Sequence, residues 1–206
     1  MIDKYFDKIY CINLDRRIDR WEETSIELKK WGLYDKVIRY SAVDGNTITQ
    51  QNNKINKGEL GLVETHIKII TEAKNNNYKN ILIIEDDITF TEEIIKIDEY
   101  FNQLPKSWDI LWFGGNHNIH MGETINKISK NVIKCHQTYS THCIAFNEKI
   151  YDLVLNLLNK KEKPVDVYYS DIQKIYDCYS FYPSVALQRP SYSDIQNSIQ
   201  DNRWLF

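Results

Sequence analysis

Three consecutive carboxylates follow a run of branched aliphatic residues near the middle of the chain. The stretch NILIIEDDITF, residues 80–90, places Glu85, Asp86 and Asp87 directly after Ile84. A short apolar run of this kind predicts a buried strand of a parallel or mixed sheet. Adjacent anions repel one another, and burial at a strand end would add to that cost. The triplet therefore predicts a positively charged partner close by.

The spacing of Glu85 and Asp87 suits a divalent cation. In open α/β sheets, ligands bind outside the carboxyl ends of the strands. Mg²⁺ and Mn²⁺ typically take one or two carboxylates together with the phosphates of a substrate. Because alternate residues can face the same way, Glu85 and Asp87 are predicted to hold a metal against a diphosphate, while Asp86 turns toward the scaffold. The alternative is a capped strand end whose acids are simply solvated.

Apolar periodicity predicts the elements that must position this triplet. The predicted strands cover residues 8–14, 37–45, 80–90, 109–115, 131–135, 142–146 and 178–188, the last broken at Pro183. The predicted helices cover residues 15–32, 58–76, 91–105, 148–161 and 165–176, and residues 46–57 and 116–130 are predicted loops. Strands that alternate with helices predict a single α/β domain over residues 1–206, with a mixed, mostly parallel sheet flanked by helices.

Composition narrows the classes of protein and partner. A hydrophobic content of 42% and a charged content of 27% over 206 residues are typical of a soluble globular domain. With a net charge of −3 and scattered arginines, a nucleic-acid partner is not expected. No apolar run approaches the ~20 residues of a membrane span. With no secretory signal or retention tail visible and four cysteines without a CxxC pair, a soluble, cytoplasmic protein is expected.

Six segments resemble glycosyltransferase family 25, the lipooligosaccharide and procollagen galactosyltransferase group. They are INLDRRIDRW, GELGLVETHIKI, ILIIEDDITF, WDILWFGG, PVDVYYSD and PSVALQRPSYSDIQ, in the order of the family and across nearly the whole chain. The resemblance implies the Rossmann-like GT-A form of the α/β fold. It also implies transfer of a hexose from UDP-glucose or UDP-galactose, with Mn²⁺ or Mg²⁺, to a glycan or to a glycosylated or hydroxylated protein. Leu62 and His142 depart from the residues usual in the family.

The resemblance implies a metal site built from three acids. Asp87 is the first candidate ligand, and Glu85 is the second, in contact with either the metal or the ribose of the donor. Asp86 is expected to anchor the turn beside the donor site. Asp194, in SYSDIQ, matches the Ser-Asp of the family and is the candidate third ligand. A turn-forming Asp194 is the alternative.

The donor nucleotide is expected to meet basic residues after the first strand. Arg16, Arg17 and Arg20 lie at the start of a predicted helix, where anions are favoured. One of them is expected to pair with the diphosphate or with the acidic triplet, and a solvated basic face of the helix is the alternative. Asp44 closes the second predicted strand, where GT-A enzymes read the base or ribose. An Asp-Gly turn explains Asp44 almost equally well.

The family is classed as inverting, which implies one carboxylate that deprotonates the acceptor hydroxyl in a single displacement. Asp166, after Pro164-Val165, is the first candidate for this base, and Asp171 is the second. His66 is expected in the core or behind the site. The histidines of the long loop, His117 and His120, are expected to be solvated, with contact to the acceptor as the alternative.

Two other functions remain open at this point. A metal-dependent nuclease or phosphotransferase also uses acidic clusters at strand ends, but the chain has neither a Walker-type loop nor a basic groove. A catalytically inactive sugar-binding or partner-binding module on the same fold is the other possibility. The intact acidic triplet favours the enzyme.

Overall fold

An eight-stranded mixed β-sheet forms the middle layer of the protein. The computed structural model describes residues 1–49, 54–118, 121–122, 124–195 and 198–201. The strands of this sheet are β1 (Lys8–Asn13), β2 (Val37–Ser41), β3 (Asn80–Glu85), β5 (Ile110–Trp112), β6 (Asn126–Lys127), β7 (Val132–Lys134), β8 (Cys143–Asn147) and β9 (Cys178–Phe181). Their order is β2-β1-β3-β8-β5-β9-β7-β6. Six of these eight strands run in one direction and β7 and β8 run against them, which confirms the predicted mixed, mostly parallel sheet.

Helices cover both faces of this sheet. They are α1 (Ile18–Lys30), α2 (Lys57–Asn75), α3 (Ile97–Gln103), α4 (Tyr151–Leu158) and α5 (Val165–Ile172). Residues of α2, α4 and α5 share one hydrophobic cluster with Ile81 and Ile83 of β3, whereas residues of α1 and α3 share the other with Leu82 and Ile84. Side chains alternate between the two faces of a strand, so a strand covered on both sides must be apolar throughout. This explains the uninterrupted aliphatic run before the carboxylates.

Two small antiparallel pairs lie outside the central sheet. They are β4 (Ile88–Phe90) with β10 (Ala186–Gln188), and the hairpin of β11 (Ser191–Ser193) with β12 (Ser198–Gln200). The predicted strand 80–90 is therefore interrupted at Asp86-Asp87, because the chain turns there and β4 leaves the central sheet to pair with β10. The segment after Arg189, which has little periodicity in the sequence, forms the hairpin.

The helices differ from their predicted bounds mainly at the ends. The predicted helix 91–105 begins as a 3-10 turn over Glu92–Lys96 before α3 starts. Ile119, His120 and Glu123 of the predicted loop 116–130 lie outside the described residues. Within the described ranges, no helix combines the length and apolar character needed to cross a membrane.

A close backbone contact fixes the loop that carries Asp44 against α2. A Cβ added at Gly61 would lie 2.5 Å from the carbonyl oxygen of Val43 and 2.8 Å from the nitrogen of Gly45. The hydroxyl of Thr65 accepts a hydrogen bond from the Val43 N–H at 2.9 Å and donates one to the Gly61 carbonyl at 2.7 Å. The loop after β2 is thereby held against α2, which sets the position of Asp44.

We expect Gly61→Ala to lower the free energy of unfolding by roughly 1–3 kcal/mol, the usual cost of overpacking. The loss should appear although alanine is favoured over glycine inside a helix by about 1 kcal/mol. Urea unfolding followed by circular dichroism measures it. Lys68→Ala, at an exposed position of the same helix, is the control and should be nearly neutral. An unchanged or more stable Gly61→Ala protein would mean that the loop is not held against α2.

Candidate active site

A cavity of about 810 Å³ opens at the carboxyl ends of the parallel strands β2, β1 and β3. This volume is within the usual range for small-molecule sites, and the position is the one where open α/β sheets bind ligands. The predicted site residues that line the cavity are Arg16, Arg20, Asp44, Glu85, Asp86, Asp87, Asp166 and Asp194. Arg17 and Asp171 are not among its lining residues. The fold therefore gathers most of the residues that the sequence singled out.

Arg20 supplies the positive charge that the triplet requires. Its guanidinium Nη2 lies 2.5 Å from Asp86 Oδ1 and 2.8 Å from Asp87 Oδ2, and the Arg20 residue is only 8% exposed. The side-chain amide of Asn13, at the end of β1, donates a second hydrogen bond to Asp86. Asp86 is thus tied to the scaffold. Strict alternation predicts that Asp87 points away from the scaffold. Asp87 instead pairs with the same guanidinium as Asp86.

A second arginine, Arg189, lies beside the same turn and was missed by the sequence analysis. It donates to the main-chain carbonyls of Asp86 at 2.6 Å and Ile88 at 3.2 Å, and its other edge pairs with Glu23 at 3.0 Å. Arg189 and Asp86 are 103 positions apart in the sequence. The only signal that could have marked Arg189 is its place in the closing motif PSVALQRPSYSDIQ.

Among the described residues, Glu85 has no ion-pair partner, and Asp87 shares Arg20 with Asp86. Glu85 accepts a hydrogen bond from the Thr141 hydroxyl at 2.7 Å, and desolvation together with the nearby charge of Asp87 raises the pKa of Glu85 well above its ordinary range. Asp87 Oδ1 is buried and has no hydrogen-bond partner among the described residues. Two such carboxylates, one with an unpartnered oxygen, fit a hard divalent cation.

Asp194, the predicted third metal ligand, is paired with two arginines. Its carboxylate pairs with Arg16 at 3.0 Å and also with Arg17. Among the residues that the structure describes, no three His, Cys, Asp or Glu side chains are grouped so that they could hold a metal ion. The contacts of Asp194 instead fix the hairpin β11–β12 at the mouth of the cavity.

The remaining predicted donor residues lie at the same mouth. Arg16 pairs with Asp44 at 3.2 Å as well as with Asp194, so it bridges the loop after β2 and the hairpin. Asp44 also accepts a hydrogen bond from the Asn46 N–H at 3.0 Å, so it both forms the turn and lines the cavity. Arg17 is engaged by Asp19 at 2.8 Å and by Asp194. Arg17 therefore contacts the hairpin residue Asp194 but does not line the cavity.

Of the two candidate bases, only Asp166 lies at the cavity. It occupies the first turn of α5, where the Ser140 N–H donates to its carboxylate at 3.5 Å and burial raises its pKa. An α-helix turns about 100° per residue, so Asp171 lies about 140° further round. There Asp171 is 47% exposed and pairs with Lys163 at 2.7 Å. Asp171 is therefore placed outside the cavity and away from any substrate bound there.

His66 and His117 are both buried in the protein. His66 is fully buried, its Nδ1 lies 2.9 Å from the Tyr169 hydroxyl, and burial lowers its pKa to about 3, so it is a neutral core residue as expected. The expectation of a solvated His117 is wrong. Its Nδ1 lies 2.9 Å from Thr138 Oγ1, and burial lowers its pKa to about 4, because the start of the loop pairs with the segment around Tyr139. His120 lies outside the described residues.

Comparison with known structures returns matches of low similarity. The crystal structure of A197 from STIV is 13% identical, with a TM-score of 0.46, and the match covers 94% of both chains. The crystal structure of a glycosyltransferase involved in the glycosylation of the major capsid of PBCV-1 is 10% identical, with a TM-score of 0.41. That match covers 74% of this chain and 66% of the other.

Proteins of similar sequence include two procollagen galactosyltransferases. Human procollagen galactosyltransferase 2 is 26% identical over an alignment of 131 positions, and the match covers 53% of this chain and 21% of the relative. Zebrafish procollagen galactosyltransferase 1 matches with the same identity and the same coverage. The chain thus matches about a fifth of the length of these curated relatives, 21% in each case. The family described as "Glycosyltransferase family 25 (LPS biosynthesis protein)" matches residues 6–169. Because this match spans most of the chain, the protein belongs to glycosyltransferase family 25.

Proposed function

We propose that the protein is a metal-dependent glycosyltransferase that moves a hexose, galactose or glucose, from a UDP-sugar to a hydroxyl group of a glycan or a protein. One observation carries the proposal. A single cavity is lined by an acidic pair suited to a cation, by arginines, and by a separate buried carboxylate. These are the parts that a sugar transfer from a nucleotide diphosphate requires. Family membership and the galactosyltransferase relatives support the same activity and make galactose the first sugar to test.

The donor side of the cavity is assigned to the residues at the strand ends. Glu85 and Asp87 would hold Mn²⁺ or Mg²⁺, since Glu85 has no ion-pair partner among the described residues and Asp87 has an oxygen without a hydrogen-bond partner there. When bound, the ion stabilises the negative charge that develops on the departing diphosphate. Arg16, whose side chain is 44% exposed at the mouth, is free to turn from Asp44 toward a phosphate. Asp44 could then accept hydrogen bonds from the ribose.

The acceptor side is assigned to Asp166. As the acceptor oxygen bonds to the anomeric carbon of the sugar, the bond from that carbon to UDP breaks and Asp166 takes the hydroxyl proton. A raised pKa suits this role, because a more basic carboxylate removes a proton more effectively. The Ser140 N–H helps to keep the carboxylate oriented.

The first test is the dependence of nucleotide binding on metal. UDP, UDP-galactose and UDP-glucose should raise the melting temperature in the presence of Mn²⁺ but much less in EDTA, because a diphosphate would otherwise face the carboxylates directly. ATP with Mn²⁺ is the control and should have little effect. Equal stabilisation by UDP with and without Mn²⁺ would contradict the metal assignment. Stabilisation by ATP alone would favour a phosphotransferase.

We expect Asp87→Asn to abolish the stabilisation by Mn²⁺ and to slow transfer on the order of 10²-fold, which is equivalent to about 3 kcal/mol. The melting temperature without metal should hold or rise, since three crowded carboxylates become two and Arg20 still pairs with Asp86. Calorimetry and a transfer assay give the two readouts. Asp152→Asn, at a side chain that is 74% exposed on α4, is the control and should match wild type. A variant that melts well below wild type would make Asp87 a structural anchor instead.

We expect Asp166→Asn to bind the donor as wild type does but to transfer roughly 10²-fold more slowly, because only the acceptor proton depends on it. The matched control is Asp171→Asn, five residues away on the exposed face of the same helix, which should transfer at the wild-type rate. The pH profile gives a further check. Burial raises the pKa of Asp166, so activity should be lost on acidification at a pH above the ordinary aspartate range. Near-normal turnover in Asp166→Asn would remove Asp166 from the role of base.

A further inference from the structure

Arg189 donates a hydrogen bond to each main-chain carbonyl of residues 86–88, the segment where the chain turns after β3. Its guanidinium donates to the carbonyl of Asp86 at 2.6 Å and to that of Ile88 at 3.2 Å. Its own backbone N–H donates to the carbonyl of Asp87, between them, at 2.8 Å. The three successive carbonyls of residues 86–88 therefore all accept a hydrogen bond from one residue, which follows β10 directly.

The same guanidinium also reaches the first helix. Nη2 lies 3.3 Å from the carbonyl of Arg20 and 3.3 Å from the hydroxyl of Thr24, and that hydroxyl donates to the Asp86 carbonyl. Arg189 thus joins the backbone of α1 to the backbone of the turn. Its remaining contact is the pair with Glu23, whose side chain is 63% exposed.

Arg20 and Arg189 contact different groups of the turn. Arg20 pairs with the side chains of Asp86 and Asp87, whereas Arg189 donates to main-chain carbonyls, including that of Arg20 itself. A main-chain carbonyl in a buried turn needs a donor, and at this break between β3 and β4 the sheet supplies none to residue 86. A planar guanidinium with five N–H donors can serve several carbonyls at once, which the single ammonium of lysine cannot do in the same geometry.

We propose that Arg189 is a positioning residue: it fixes the turn at residues 86–88, and through that turn the carboxylate of Asp87, in the orientation that binds the metal. This inference rests on the proposed function. It assigns Arg189 an action on the metal site through the backbone, and no contact with the donor. Residues that orient metal ligands typically contribute 10- to 100-fold to metal affinity.

The test compares Arg189→Lys, which keeps the charge but loses the fork, with Glu23→Gln, which removes only the exposed ion pair. Amide hydrogen exchange of the peptide covering residues 85–90 is measured without metal. The Mn²⁺ concentration for half-maximal stabilisation is measured by titration. We expect Arg189→Lys to speed exchange in that peptide alone and to raise the half-saturating Mn²⁺ concentration by on the order of tenfold. Glu23→Gln should behave as wild type in both measurements.

Several results would overturn the proposal. They are unchanged exchange in residues 85–90, exchange that rises equally throughout the chain, or a higher KM for the UDP-sugar with an unchanged response to Mn²⁺. The last would mean that Arg189 contacts the donor directly. If Arg189→Lys does not fold, Thr24→Val removes one donor from the Asp86 carbonyl at constant volume and should shift both readouts in the same direction by less.

A wild-type protein that does not respond to Mn²⁺ would contradict the metal part of the proposed function. The exchange measurement needs no metal, so it would still decide whether Arg189 holds the turn. The two failures are therefore distinguishable.

Discussion

The site depends on one contact, in which the guanidinium of Arg20, on the first helix, pairs with two carboxylates at the carboxyl end of the third strand. Charges of this kind are costly to bury, and removing Arg20 would leave two buried carboxylates without their shared partner, a change that typically costs about 3–5 kcal/mol. The pairing with Asp86 and Asp87 therefore fixes α1 against β3 and allows a turn to form where the aliphatic strand ends. Asn13 and Arg189 complete the turn, through the Asp86 carboxylate and the main-chain carbonyls respectively.

The balance of charge explains why this site suits a cation. Three carboxylates face two arginines, and Arg189 is shared with Glu23 on its exposed edge. Desolvation and the nearby charge of Asp87 raise the pKa of Glu85, and Asp87 keeps an oxygen without a hydrogen-bond partner among the described residues. Arg20 reduces the repulsion among the three carboxylates while pairing with only two of them.

The hairpin β11–β12 gives the cavity its outer wall. Its contacts with the domain include the ion pairs of Asp194 with Arg16 and Arg17 and a hydrogen bond from Arg20 to the Tyr192 carbonyl. Polar contacts of this kind are weaker than buried apolar packing. The wall of the cavity that would cover a donor is thus attached by the same group of arginines that serves the acidic turn.

The sequence by itself determined the local features. Periodicity of two and of 3.6 residues follows from how side chains project from strands and helices, so the aliphatic run of β3, the apolar face of α2 and the α/β class were predictable. The acidic triplet could be read directly from the sequence, and six motifs in register indicated the family. Even the opposite faces of Asp166 and Asp171 follow from helix geometry, although which face meets the cavity does not.

Only the tertiary structure decided which distant groups meet. Arg20 rather than Arg17 reaches the triplet, Asp194 pairs with arginines, His117 is buried, and Arg189 binds a turn 103 positions away in the sequence. These outcomes depend on the packing of α1 against β3 and on the path of the chain after β10. Such contacts are set by the three-dimensional arrangement of whole elements, and no local pattern of residue types encodes them.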